Sequence, residues 1–179
     1  MSTSRSMHAT AAALLVVAFC AAPARAADAP HFGQPISPAA AAAWDISVGP
    51  DGVGLPPGSG TPAQGAMVYA QKCAACHGDK GAGGVNARLV GGQISGGGPV
   101  VKTVGSYWPY ATTLFDFVRR AMPWTAPKSL SDDEVYAVSA YVLRLNNIIG
   151  DNDVMDAKTL PQVKMPNRDG FIPLYPAKH

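Results

Sequence analysis

Cysteine is scarce in this chain, three in 179 residues, which excludes a disulfide scaffold. Charge is also scarce: Asp, Glu, Lys and Arg make up 15% where folded proteins carry about a quarter, which argues against a coiled coil or a disordered acidic or basic tail. The basic residues are scattered apart from Arg119-Arg120, so no patch is available to offset phosphate charge and nucleic acid is not expected as a partner. No repeat is visible, and no stretch alternates as a strand should. Long apolar runs are missing too. The longest, residues 11–22, falls short of the roughly 20 residues a membrane span needs, so no span is expected. What is plentiful is apolar material, at 47%, together with 19 Gly and 16 Pro. That combination implies one small, core-bearing domain with irregular arms.

The short apolar run has another reading. Arg5 and His8 precede it and Ala24-Arg25-Ala26 follows it, the pattern of a secretory signal peptide cleaved after Ala26. Cys20 would leave with it, because Phe19 is too large to precede a lipidated cysteine. Arg5 and Arg25 would leave as well, bringing the 14 Lys and Arg level with the acidic residues. The mature chain is then formally neutral, and a secreted, periplasmic location is expected.

The two cysteines that remain stand in Cys73-Ala74-Ala75-Cys76-His77, which reads as a c-type haem attachment site. Two thiols three residues apart reach one edge of a haem as thioethers, and the histidine that follows is placed to ligate iron. Three other readings compete. A redox dithiol has no need of His77. Zinc wants further ligands, and only His31 and His179 are left to supply them. A disulfide would close a tiny, strained loop. One covalent haem c uses every residue of the motif.

Helix signals flank it. Thr61-Pro62-Ala63-Gln64 is a capping box with proline at the first helical position, so a helix starts near Pro62, presents Ala66, Tyr69 and Cys73 at helical spacing, and is broken by Gly78, Gly81, Gly83 and Gly84. Ser131-Asp132-Asp133-Glu134 is a second box, with acidic residues where they complement the helix dipole. The helix it opens should bury Val135, Val138, Val142 and Leu145 and stop at Asn146-Asn147 or Gly150. Between the two, residues 112–120 read as a shorter helix with Leu114, Phe115 and Val118 on one side. The expected fold class is all-α.

Iron needs a ligand opposite His77. Met122 is the choice, since it ends the middle helix and Pro123 stiffens the loop behind it; thioether ligation suits an electron carrier. Met67 is expected to pack, and Met165 lies in the tail. His31, His179 or an open site are the other options, and an open site would make the chain a haem enzyme or gas-binding protein. Leu89, Trp108, Tyr110, Phe115 and Val118 are candidates for an apolar haem wall, and Arg88, Lys102 and Tyr107 for the haem propionates. No group is poised for acid, base or nucleophilic catalysis.

With these residues in hand, the chain resembles the class I cytochrome c fold over residues 61–147. The resemblance implies close packing of Gly65 against Tyr141, with Tyr69 alongside. It further resembles cytochrome subunits of the Sox and sulfite dehydrogenase type through WDISVGPDGVGLPPGSG at 44–60, GSYWPYATTLFD at 105–116, RRAMP at 119–123 and LPQVKMPNRDGF at 160–171. Such cytochromes accept electrons from a molybdenum-containing sulfite- or sulfane-oxidising subunit. Two-haem members carry a second CxxCH; with one motif, this chain is most similar to the monohaem cytochrome subunit of a sulfite dehydrogenase. The implied organisation is a signal peptide over 1–26, a Pro/Gly-rich extension over 27–60, a cytochrome c domain over 61–149 and an irregular extension over 150–179. The implied partners are the molybdenum subunit or another periplasmic dehydrogenase, with a cytochrome or oxidase downstream. Whether the arms cover this domain or a partner is open at this level.

Overall fold

The computed structural model describes residues 32–172 and residue 174. The expected leader with Cys20, and His31 and His179, lie outside the described residues. The chain divides into two units, Met1–Ser37 and Pro38–His179. Of the first, residues 32–37 are irregular and exposed.

The second unit is helical. In chain order it contains α1 (Pro38–Ala42), β1 (Ser59–Gly60), α2 (Pro62–Lys72), α3 (Ala74–His77), α4 (Ala111–Ala121), α5 (Asp132–Leu145) and β2 (Met155–Asp156), with 3-10 turns at Asp79–Gly81 and Leu160–Gln162. Both capping boxes form as the sequence requires. Thr61 accepts from the Gln64 amide while Gln64 reaches back to the Thr61 amide, and Ser131 and Glu134 do the same for α5. Each satisfies two amides that a helix start leaves without partners.

The most extensive interface joins α2 to α5. Gly65 makes it possible: a Cβ there would overlap the Ala137 carbonyl and come within 2.8 Å of Tyr141 Cβ. Tyr69, one turn on, sets its ring 5.3 Å from that of Tyr141. The expected Gly65–Tyr141 contact is therefore present. Helix α4 lies against another face of α5 in an antiparallel register, with Arg119 bonded to Asp132 at 3.0 Å and the Phe115 and Tyr136 rings 4.4 Å apart.

Two expectations change here and one holds. The buried face of α5 is wider than four residues: Tyr136, Ala137, Ser139, Ala140 and Leu143 are buried beside Val135, Val138 and Val142, while Leu145 is only half-buried. A helix covered on several sides cannot be recognised by a single stripe. Its end falls as expected, with Asn146 as cap and Asn147 at φ 56°; asparagine tolerates that left-handed conformation better than most residues. Met67 is not packed, being 62% exposed.

The arms pack on the unit's own core. In the N-terminal arm, the Val48 amide donates to Asp116 at 3.0 Å, Pro56 O accepts from the Tyr136 hydroxyl at 2.8 Å, and the Ser59 amide donates to Asp133 at 2.8 Å. The C-terminal arm contributes Met155, Leu160, Val163 and Met165 to the same hydrophobic cluster as α4 and α5. Strands β1 and β2 pair antiparallel, Ser59 with Asp156 and Gly60 with Met155, tying the two arms together beside α5. Among the described residues no helix is long and apolar enough to cross a membrane.

Candidate functional site

Helix α2 delivers Cys73 at its C-terminal end, and the four-residue α3 carries Cys76 and His77 one turn further. Both thiols are free, Cys73 half-buried and Cys76 exposed. Burial pushes the Cys73 thiol up to about 11, so it sits as a neutral, largely apolar group. A thioether, which has no charge to desolvate, suits that position.

The segment after the motif folds back over α3. Gly78 leaves the helix at φ 76°, and a Cβ there would strike the Gly83 carbonyl; only glycine fits both demands. The Gly83 amide then donates to His77 O at 2.8 Å and the Asn86 amide to Cys76 O at 2.9 Å, satisfying carbonyls that the end of a helix leaves open. Tyr69 donates its hydroxyl to Gly78 O at 3.0 Å, and burial raises that phenol to about 12.

This turn places the Ala87 carbonyl 2.9 Å from His77 Nδ1. A carbonyl can only accept, so Nδ1 carries the proton and Nε2 keeps its lone pair for a metal. The arrangement fixes both tautomer and ring orientation, as ligating histidines require. No sequence pattern marks Ala87, because the contact is made by backbone.

On the other expected side, α4 ends at Met122, whose amide still donates to Val118 O at 3.0 Å while its own backbone is extended. Two ion pairs hold that end: Arg119 with Asp132 at 3.0 Å, and Arg120 with Asp116 at 2.8 Å. Met122 is half-buried. Met165, the other candidate thioether, is consumed by the core at 3% exposure, and Met155 is buried likewise.

The remaining predicted residues divide. Cys73, Leu89, Trp108 and Val118 lie half-buried at the margin of one hydrophobic cluster, which is where a wall belongs. Trp108 also meets Phe117 edge-on at 5.6 Å. Tyr110 is half-buried beneath the Arg168 guanidinium, 4.8 Å from its ring. Phe115 corrects the expectation: it is fully buried against Tyr136, so it serves the core and offers no surface to a cofactor. Lys102 sits 4.5 Å over the Tyr107 ring, which also meets Phe171 at 5.2 Å. Arg88 is apart from them, turned back toward Ala82 O.

The contacts of three residues escaped the sequence reading. Arg168 adds a positive charge beside Tyr110, and its neighbour Asn167 donates to Tyr107 O at 2.6 Å. Asn146 binds the loop that follows the motif. The partners are distant in the chain, so nothing local could reveal the contacts.

Among the described residues no three His, Cys, Asp or Glu side chains converge as donors for a bare metal ion. The donors present suit a haem: two unpaired thiols, one imidazole with a free Nε2, and a thioether with no place in the core. A shallow groove of ≈ 530 Å³ over the α2–α5 crossing, lined by Pro62, Lys80, Tyr141, Arg144 and Asp151, contains none of them.

Comparison with known proteins gives the class of the chain. The family model described as cytochrome c oxidase, cbb3-type, subunit III matches residues 60–142. The chain is a class I c-type cytochrome with the cytochrome c fold, built of helices with two short strands. Within that class it belongs to the Sox type. A chain of the crystal structure of the sulfane dehydrogenase SoxCD from Paracoccus pantotrophus superposes with a TM-score of 0.73 at 42% identity, covering 81% of this chain and 72% of that one. The thiosulfate dehydrogenase of Stutzerimonas stutzeri (strain A1501) is 33% identical over 88 residues. That match spans 45% of this chain and about a quarter, 26%, of the relative's length. Membership implies haem c and a role in electron transfer, and both relatives are dehydrogenases of sulfur compounds by name.

Proposed function

We propose that this protein is a periplasmic cytochrome with one covalent haem c that accepts electrons from a molybdenum-containing, sulfite-oxidising dehydrogenase and passes them to a downstream cytochrome or oxidase. The observation that carries the reading is the His77–Ala87 hydrogen bond, which leaves Nε2 free one residue after two unpaired thiols. Cys73 and Cys76 would attach the haem, and His77 and Met122 would donate to its iron. When bound, the haem supplies a one-electron ferric/ferrous couple. The chain's part is to hold it: His77 keeps its proton on Nδ1, Met122 leaves α4 in an extended turn, and Leu89, Trp108 and Val118 exclude water. A low-polarity surround and a thioether donor both favour the reduced state. Lys102 and Tyr107 are assigned to the propionates, and no side chain of this site is placed to move a proton to or from a substrate.

The donor is inferred from the likeness to sulfur-compound dehydrogenases and from the single CxxCH motif. The test mixes oxidised holoprotein, made in a host with cytochrome c maturation, with a sulfite-oxidising molybdoenzyme and follows haem absorbance after sulfite is added. Reduction that requires both enzyme and sulfite is expected. Reduction by a thiosulfate-oxidising enzyme instead would replace the donor. A pyridine haemochrome assay is expected to count one haem per chain, and the oxidised spectrum to show the sulfur-to-iron charge-transfer band at its red end. Loss of that band in Met122→Ala, with new binding of carbon monoxide to the reduced protein, would assign the sixth ligand.

A further inference from the structure

Helix α5 ends on a side chain that bridges its own last turn to the loop after the CxxCH motif. The Asn146 carboxamide accepts from the Gly91 amide at 3.0 Å and donates to Leu89 O at 3.2 Å and to Val142 O at 2.9 Å. Gly105 lets it in: a Cβ at that position would come 2.9 Å from Asn146 Cβ and closer still to its amide. The partners Leu89 and Gly91 flank Val90 in the segment that begins two residues after Ala87.

That segment has few other supports. The Leu89 and Val90 amides donate to Gly81 O at 2.9 and 3.2 Å, and Gly91 O accepts from the Thr103 hydroxyl. Val85, Asn86, Ala87 and Arg88 are exposed, so packing does not hold the Ala87 carbonyl in place. What holds it is hydrogen bonding on both sides, to α3 through Asn86 on one, and to Gly81 O and, through Asn146, to α5 on the other. A half-buried amide that satisfies three backbone groups is a stiff joint, because breaking it leaves several of them unpaired.

We infer that Asn146 is a positioning residue for His77: it fixes the 89–91 backbone, and through it the Ala87 carbonyl that receives the Nδ1 proton. The inference rests on the assignment of His77 as the iron ligand. A firm Nδ1–H···O bond makes the imidazole a better donor and favours the ferric state. Slackening the joint weakens that bond and shifts the couple toward ferrous.

The experiment uses holoprotein carrying Asn146→Asp, which keeps the shape and the acceptor for Gly91 but loses the donors to Leu89 and Val142, and Asn146→Ala, which loses all three bonds. Asp133→Ala is the control, because it removes the anchor of the Ser59 amide at the opposite end of the same helix. Redox titration is expected to give about a threefold or greater rise in the ferrous-to-ferric ratio at fixed ambient potential for Asn146→Ala, a smaller rise for Asn146→Asp, whose added carboxylate itself favours the ferric state, and none for Asp133→Ala. Ferric-state NMR should show displaced His77 ring resonances and faster exchange of the Nδ1 proton. Asn146 variants that are destabilised like the control, with potential and His77 resonances unmoved, would overturn the inference and leave the ligand assignment standing. A wild-type ferric spectrum without hyperfine-shifted His77 resonances would overturn both.

Discussion

The α2–α5 crossing and the glycine-rich loop that follows His77 are held by opposite means. At the crossing, backbones approach until Gly65 touches the Ala137 carbonyl and aromatic rings close over the gap. Order there comes from shape, and any added atom is felt at once. In the loop, residues 84–88 are exposed, and order comes from hydrogen bonds to Cys76, His77, Gly81 and Asn146. A crossing of this kind fixes helices rigidly. A loop held by polar joints can be tuned, since changing one side chain alters a backbone hydrogen bond without repacking the core.

The comparison breaks most readily at the crossing. Gly65→Ala puts a methyl onto the Ala137 carbonyl and is expected to destabilise by about 3 kcal/mol or more, since neither helix backbone can yield; denaturant unfolding of the holoprotein checks it. Leu160→Ala tests whether the C-terminal arm shares that core. Its side chain is fully buried, so a loss of about 2–5 kcal/mol is expected by the same measurement. An arm merely laid on the surface would lose far less.

Thr103→Val probes the loop's kind of order. It removes bonds to Gly91 and Ser106, at about 1–3 kcal/mol for the groups left unpaired, and hydrogen exchange should speed up around residues 89–93 while α2 and α5 stay protected. Glu134→Gln has a smaller effect with a definite pH dependence. Hydrogen bonds from the Lys72 ammonium at 2.8 Å and the Ser131 amide hold this carboxyl below its usual value. Its contribution is therefore complete above about pH 4.3 and is lost as pH falls through the depressed value. Wild type and variant should differ by about 1 kcal/mol or less at neutral pH and converge in acid. Smallest is Ser139→Ala. Its hydroxyl and that of Thr112 are buried without hydrogen-bond partners among the described residues, one turn beyond the Phe115–Tyr136 contact. Removing an unpaired buried hydroxyl should leave stability unchanged or raise it by up to about 1 kcal/mol.

Much of the scaffold was legible because its signals are local. Each capping box spans four residues, and the CxxCH motif spans five, so no distant partner has to be known. The middle helix, read as 112–120, runs Ala111–Ala121. Legibility failed where burial depends on what arrives from elsewhere. Phe115 has the right side of the right helix for a haem wall, yet Tyr136 occupies its face. Leu160 and Met165 stand among prolines in a segment without periodicity, and nothing in that stretch foretells that they complete the core. Asn146 read as a helix stop, which it is, but its carboxamide is aimed at residues more than fifty positions earlier.

By itself, the sequence determined where helices begin and which two thiols and which histidine stand together. Those are relations within a few residues. Only the tertiary structure decided which carbonyl meets His77 Nδ1, which methionines the core consumes, and that both arms close over α4 and α5. These depend on chain segments separated by tens of residues, which become neighbours only when burial of the whole apolar surface outweighs the entropy of bringing them together.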